Sequence, residues 1–126
     1  MINMNNDRRI KNFYMLAQNE YEIFIKSDDK DLASDHLAEA GEKLWNIYNM
    51  LVEKITKRKI RNERMLKKAL EDYFIKTNND SLLLIYNDAY ELHKYFYRGH
   101  GNTYDENDIY NRVNTVINKL IKIYTV

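Results

Sequence analysis

The absence of proline is the feature that most constrains how this 126-residue chain can fold. Proline ends or kinks a helix because it lacks a backbone N–H donor and its ring clashes with the preceding turn. Glycine, which weakens helices through its backbone freedom, occurs only at positions 41, 99 and 101. Because so little in the chain interrupts a helix, we expect long helices joined by short loops.

Apolar residues recur three and four positions apart through most of the chain, which is the spacing of one helix face. This pattern predicts four main helices, over about residues 7–26, 33–55, 81–97 and 109–124. A fifth, shorter apolar segment over 66–74 either forms a helix of its own or continues the second helix through a kink. The turn between this segment and the next helix is predicted at Thr77–Asp80, and Thr103 or Asp105 is predicted to cap the last helix.

The chain shows neither the two-residue alternation of strands nor a repeat of 20 to 50 residues. We therefore predict a single all-α domain over residues 1–126, an antiparallel up-and-down four-helix bundle with one additional short helix. Over 82–97, 11 of 16 positions are apolar or aromatic. A helix that is apolar on nearly every side lies at the centre of its bundle or is covered by a second copy of the chain, and we expect a homodimer.

Composition excludes several kinds of chemistry. The chain has no cysteine, which excludes disulfides, thiolate metal sites and cysteine nucleophiles. Its three glycines do not have the spacing of a phosphate-binding loop. The longest apolar run, Leu82–Tyr86, is far shorter than the roughly 20 residues that span a membrane, and the start of the chain lacks the apolar stretch of a signal peptide. We therefore expect a cytoplasmic protein without a cofactor.

The net charge of +1 conceals a strong segregation of charge, because residues 54–68 carry +7 and the remainder carries −6. If one helix continues through this segment, four basic residues share a face that suits a phosphate backbone. These candidate nucleic-acid-binding residues are Lys57, Arg61, Arg64 and Lys68. The run contains no aromatic residue for stacking on bases. The alternative interpretation is a solvated helix end, where basic side chains favour the helix dipole.

The most promising candidate functional patch lies at the end of the fourth predicted helix. It consists of His93, Tyr97, Arg98 and His100. The patch combines titratable groups, a fixed cation and a loop in which flanking glycines allow close approach. The alternatives are a histidine that is hydrogen-bonded in the core, for His93, and an exposed polar C-cap for the others.

Other patterns give little support for catalysis or metal binding. His36 and Glu39 lie one turn apart, but two ligands on one helix do not make a metal site, and we predict none. The serines, at 27, 34 and 81, all lie near predicted helix starts, where capping explains them. We therefore predict no catalytic residue.

Two stretches carry a resemblance to a known family. Asp35–Trp45 contains an Ala-x-Glu-Lys-Leu-Trp core, and Glu91–Tyr97 contains a Leu-His-x-x-Phe-Tyr pattern shortly before a glycine. Both resemble the PaREP family of small archaeal helical proteins, which is similar in fold to the HEPN superfamily of nucleotide-binding and ribonuclease bundles. The resemblance covers about residues 8–122. It implies an antiparallel four-helix bundle, often dimeric, that acts beside a small nucleotidyltransferase or as a toxin-type ribonuclease.

The ribonuclease members of that superfamily carry an arginine and a histidine separated by four to six residues. Here Arg98 and His100 are separated by one residue, and no histidine follows Arg112. We therefore predict a non-catalytic binding module for a nucleotide, a nucleic acid or a protein partner encoded nearby. The alternatives are a ribonuclease with a divergent site at His93, Arg98 and His100, and the substrate-binding subunit of a nucleotidyltransferase pair.

Overall fold

A computed structural model describes residues 2–3, 8–99 and 105–125, and these confirm the all-α class. The helices of the described residues are α1 (Arg8–Lys26), α2 (Lys30–Thr56), α3 (Glu63–Thr77), α4 (Leu83–Lys94) and α5 (Glu106–Ile123). One π-helical turn, Tyr95–Gly99, continues α4. Two short strands, β1 (Ile2–Asn3) and β2 (Tyr124–Thr125), pair in parallel, with Ile2 opposite Tyr124.

Short polar side chains end and start helices where the sequence predicts. Between α1 and α2, the hydroxyl of Ser27 accepts a hydrogen bond from the backbone N–H of Asp29 at 3.3 Å. The predicted turn after α3 is confirmed, and it begins at Asn78, which has a left-handed φ of 57°. Asp105 caps α5 by accepting a hydrogen bond of 2.9 Å from the backbone N–H two residues on. The alternative cap, Thr103, lies outside the described residues.

The segment between α2 and α3 is a break and not a kinked continuation. α2 ends at Thr56, Lys57 has a left-handed φ of 58°, and the side chain of Asn62 starts α3 by accepting a 2.9 Å hydrogen bond. The condition for a single helical face of Lys57, Arg61, Arg64 and Lys68, one helix continuing through the segment, is therefore not met. Of these four residues, only Arg64 and Lys68 lie on α3. Lys57 ends α2 in the left-handed conformation, and Arg61 lies in the connection between the two helices.

The core is built around α2, which packs against α1, α3, α4 and α5. The apolar residues of α2 that recur three and four positions apart from Ala33 to Leu51 form a buried seam, in which Leu37, Leu44 and Leu51 are completely inaccessible. Gly41 interrupts this seam for a steric reason, since a Cβ atom there would lie 3.2 Å from the Cβ atom of Leu92. The glycine therefore lets α2 approach α4 closely, and this approach places the following residue, Glu42, against α4.

The strongly apolar α4 lies inside the fold, packed against both α2 and α5. Of the 11 apolar or aromatic positions over 82–97, five are buried, four are half-buried and two are exposed, at Leu84 and Tyr97. The chain itself therefore covers most of this helix. The helix expected to be short, α3, has 15 residues, more than the 12 of α4. Within the described ranges, none of the helices has the length and apolarity to cross a membrane.

Candidate functional site

Four ring-bearing residues form a stripe along α4 and the π turn, and we call them the α4 aromatic stripe. They are Tyr86, Tyr90, His93 and Tyr97, at successive spacings of four, three and four. The rings of Tyr86 and Tyr90 stack with centroids 5.7 Å apart and planes 8° apart. The rings of His93 and Tyr97 meet edge to face at 4.9 Å. The helical spacing therefore aligns the rings on one surface.

Trp45 of α2 supports this stripe from below. Its indole stacks on the imidazole of His93, with centroids 4.9 Å apart and planes 22° apart. The centroid of the indole also lies 5.8 Å from that of the Tyr90 ring and 6.4 Å from that of the Tyr86 ring. Trp45 is itself buried, so it holds these rings in place without occupying their outer side.

A buried carboxylate fixes the orientation of His93. Among the described residues, Glu42 is the one charged residue that is buried, with 9% of its surface exposed. Its Oε1 atom lies 2.8 Å from Nδ1 of His93, and the hydroxyl of Tyr97 lies near the carboxylate. Burial raises the pKa of Glu42, while His93 and Tyr97 oppose that rise. Because an ionised carboxylate only accepts hydrogen bonds, it selects the tautomer of His93 that carries a proton on Nδ1.

A second carboxylate joins the start of α3 to the stripe. The hydroxyl of Tyr86 donates a 2.8 Å hydrogen bond to Glu63, and the ammonium of Lys67 lies 3.3 Å from the same oxygen. Desolvation alone would raise the pKa of Glu63, but hydrogen bonds from Tyr86, Lys67 and Tyr90 lower it overall. Burial and the Glu63 carboxylate together raise the pKa of Tyr86. Glu63 therefore remains an anion that binds α3 to α4.

Two open cavities lie on this surface and share Glu63. The aromatic cleft, of about 400 Å³, is lined by Glu63, Tyr90, His93, Lys94 and Tyr97. The α3 groove, of about 680 Å³, is lined by Glu63, Arg64, Lys67, Lys68 and Glu71. The Lys94 ammonium lies 5.1 Å from the centroid of the Tyr90 ring, and the Lys67 ammonium lies 5.9 Å from the centroid of the Tyr86 ring. Each cavity therefore has a lysine within cation–π distance of a tyrosine of the α4 aromatic stripe.

The structure brings together part of the predicted patch. His93 and Tyr97 both line the aromatic cleft. Arg98 belongs to the π turn, but its side chain lies outside the described part of the structure, and so does all of His100. The patch as a set of four therefore stays a prediction.

The predicted basic residues are divided between separate surfaces. Arg64 and Lys68 line the α3 groove. Lys57 lines a third cavity, at the junction of α2 and α3. Arg61 is exposed in the connection between those helices. The fold therefore divides these four cations between α3 and the connection that precedes it, and does not concentrate them on one helical face.

His36 and Glu39, the pair considered for a metal, have other partners. Nδ1 of His36 lies 2.6 Å from a carboxylate oxygen of Glu20 on α1. The carboxylate of Glu39 accepts a 3.0 Å hydrogen bond from Lys43. Within the described ranges, no group of three or more His, Cys, Asp or Glu residues is placed to hold a metal ion.

Sequence reasoning missed several residues of the site. The 4-3-4 spacing from Tyr86 to Tyr97 was available as a signal for Tyr86 and Tyr90, but the general apolarity of this helix concealed it. Glu42 and Trp45 lie one turn apart on α2, and the sequence singled them out only as part of the Ala-x-Glu-Lys-Leu-Trp core of the family resemblance, which gave them no role in a site. Nothing local indicates Glu63, because its contact with Tyr86 spans 23 positions and depends on the break before α3.

Comparisons with models of known protein families, with curated proteins and with solved structures found no match. The resemblance to PaREP proteins and HEPN-like bundles therefore stays a prediction.

Proposed function

We propose that this chain is a non-catalytic helical module that binds single-stranded nucleic acid. Unpaired bases stack in the aromatic cleft, and basic side chains around it bind the phosphates. The observation that carries the proposal is that Tyr90, His93 and Tyr97 line one open cleft with Lys94 beside them. Base stacking on aromatic side chains contributes about 1–3 kcal/mol per base, and it tolerates any sequence because every base has a π face.

The exposure of Tyr97 supports this proposal. Its side chain is 67% exposed although it is large and aromatic. Its position is nevertheless constrained, because its ring meets the rings of His93 and Phe96 edge to face, in each case with centroids 4.9 Å apart. A ring that is held in place before the ligand arrives loses little conformational entropy on binding, which favours affinity.

Electrostatics supplies the second component. The α3 groove carries Arg64, Lys67 and Lys68 and joins the aromatic cleft at Glu63. The basic run of the sequence lacks aromatic residues, but the fold places the rings of α4 beside it. Phosphate binding by such cations releases counterions, so we expect the affinity to fall steeply as salt rises.

The proposal extends to the finer architecture and assembly. In it, α1, α2, α4 and α5 form an HEPN-like, antiparallel up-and-down four-helix bundle, α3 is the additional helix, and the protein works as a cytoplasmic homodimer. The packing of α2 on α1, α4 and α5 supports the bundle, and the exposed side chain of Leu84, which does not line the aromatic cleft, leaves apolar surface for a second copy. Sedimentation at micromolar concentration tests the dimer, since a species of 15.3 kDa would contradict it.

Fluorescence anisotropy with labelled oligouridylate and oligodeoxythymidylate tests the binding function. We expect Tyr97→Ala to weaken binding by about 5- to 150-fold, which corresponds to the loss of one stacked base. Tyr97→Phe is the matched control, because it keeps the ring and removes only the hydroxyl, and it should bind nearly as well as the wild type. Absence of wild-type affinity at low salt, or equal binding by Tyr97→Ala, would refute the proposal.

A ribonuclease is the second candidate, and the pair of Glu42 and His93 favours it. A carboxylate that orients an imidazole inside a cleft is a familiar arrangement for general acid–base catalysis. In this case His93 would act with Arg98 and His100. Incubating RNA with the wild type and with His93→Ala separates the two functions, since cleavage that survives in His93→Ala would belong to a contaminant or to another site.

A further inference from the structure

A third open cavity lies at the other end of α3, and we call it the junction pocket. It measures about 430 Å³ and lies between the end of α2 and the second half of α3. Its charged lining residues are Lys57, Arg58, Lys76 and a single carboxylate, Asp72. Cations therefore outnumber carboxylates by three to one, which favours an anionic ligand.

The backbone conformation of Lys57 indicates that the lysine at this position has a role in binding. Lys57 has a φ of 58°, a conformation in which the Cβ atom crowds the backbone and which helix ends normally give to glycine or asparagine. The end of α3 follows that rule, because its left-handed residue is Asn78, with a φ of 57°. At the end of α2, the chain instead keeps a long cationic side chain at a position that disfavours one. Strained positions of this kind concentrate at ligand-binding sites.

The junction pocket is connected to the α3 groove through one carboxylate. Asp72 lies 2.8 Å from the guanidinium of Arg58, which lines the pocket, and 3.3 Å from the ammonium of Lys68, which lines the groove. The groove in turn meets the aromatic cleft at Glu63. The three cavities therefore follow one another along α3, and together they present seven lysines and arginines against three carboxylates.

We propose that the ligand is an oligonucleotide and not a mononucleotide. Its backbone continues from the aromatic cleft along α3, and Lys57, Arg58 and Lys76 bind a phosphodiester in the junction pocket. This inference rests on the proposed function. The 15 residues of α3 span about 22 Å at 1.5 Å per residue. At the 3.4 Å rise of a stacked strand, that length accommodates about six nucleotides.

A length series of labelled single strands tests this path. We expect the affinity of the wild type for oligouridylate or oligodeoxythymidylate to rise from three to about six nucleotides and then level off. Oligouridylate and oligodeoxythymidylate carry the same phosphodiester. A difference in affinity between them therefore shows whether the site prefers RNA or DNA. Lys57→Gly should bind a twelve-nucleotide strand several-fold more weakly, with a salt slope smaller by about 0.7, and should bind a three-nucleotide strand like the wild type.

Two further variants keep the test decisive. Lys57→Asn removes the charge with a second residue that accepts the left-handed conformation, so it should reproduce the effect of Lys57→Gly. Lys26→Gln, on the exposed end of α1, removes one lysine far along the chain from α3 and should leave binding unchanged.

The outcomes separate the two proposals. If the wild type binds no strand at any length, the proposed function itself fails. If three and twelve nucleotides bind equally well, or if the Lys57 variants bind the longer strand like the wild type, the path to the junction pocket is wrong while the aromatic cleft stands. Thermal melting of each variant verifies that it is folded.

Discussion

The hydrogen bond between Glu42 and His93 tests how the site is held together. His93→Phe keeps a ring against Trp45 and removes the donor that lies 2.8 Å from Oε1 of Glu42. Hydrogen bonds to charged groups contribute about 1.5–3 kcal/mol, so we expect the free energy of unfolding at pH 8 to fall by about 2 kcal/mol. For a chain of this length, such a loss lowers Tm by about 6–10 °C.

Glu42→Gln should gain stability relative to the wild type at high pH, whereas His93→Phe should lose it. Burial raises the pKa of Glu42 above its usual 4.5, so the folded protein holds this proton more readily than the unfolded chain does. The corresponding stability is present below pH 4.5 and is lost as the pH rises through the raised pKa. A glutamine, which never ionises, avoids that loss. We therefore expect Glu42→Gln to gain stability relative to the wild type as the pH rises from 4 to 8.

Urea denaturation of the wild type, both single variants and the double variant at pH 8 forms a cycle that isolates the coupling between the two residues. In the Glu42→Gln background, His93→Phe leaves no unpartnered carboxylate, and we expect its cost to fall below about 1 kcal/mol. If His93→Phe costs the same in both backgrounds, the two residues are not coupled and the account of the site is wrong.

Two further predictions concern the core and the end of α2. Tyr48 is fully buried, and its hydroxyl donates a 2.7 Å hydrogen bond to the carbonyl of Leu82. Tyr48→Phe should therefore lower the free energy of unfolding, measured by urea denaturation, by about 1–2 kcal/mol. An unchanged denaturation midpoint would contradict that contact. Lys57→Gly should raise Tm by about 2–4 °C, because relief of the left-handed strain exceeds the entropy that glycine adds to the unfolded chain. Lys57→Ala keeps the strain and is the control, so an equal gain in Lys57→Ala would show that strain is not the cause.

The helices could be predicted from sequence because their signals are local. Apolar spacing and the absence of proline identified α1, α2, α4 and α5, and they left α3 open between a helix of its own and a continuation of α2. The apolar seam of α2 from Ala33 to Leu51 is buried. The break after α2 could not be predicted, since its left-handed residue is Lys57 and lysine is not a typical helix terminator. The end of α3, where Asn78 takes the same conformation, was predicted because asparagine is one.

The site was predicted in part, for a related reason. His93 and Tyr97 lie four positions apart on one stretch of chain, so a local pattern identifies both. Their partner Glu42 lies 51 positions before His93, and its role depends on the close packing of two helices that Gly41 permits. Contacts of this range follow from the tertiary fold, which no spacing rule on one helix describes.

The break that separates the predicted basic residues also creates the proposed binding surface. In a helix continuing beyond Thr56, the basic run would have formed part of α2 and not a separate helix. Because the helix ends there, α3 starts at Glu63, where the carboxylate accepts a hydrogen bond from Tyr86 and lines one cleft with Tyr90. The cations of α3 thereby come to lie beside rings from another helix. Charge and aromatic surface are separate in the sequence, and the strained turn at Lys57 brings them together.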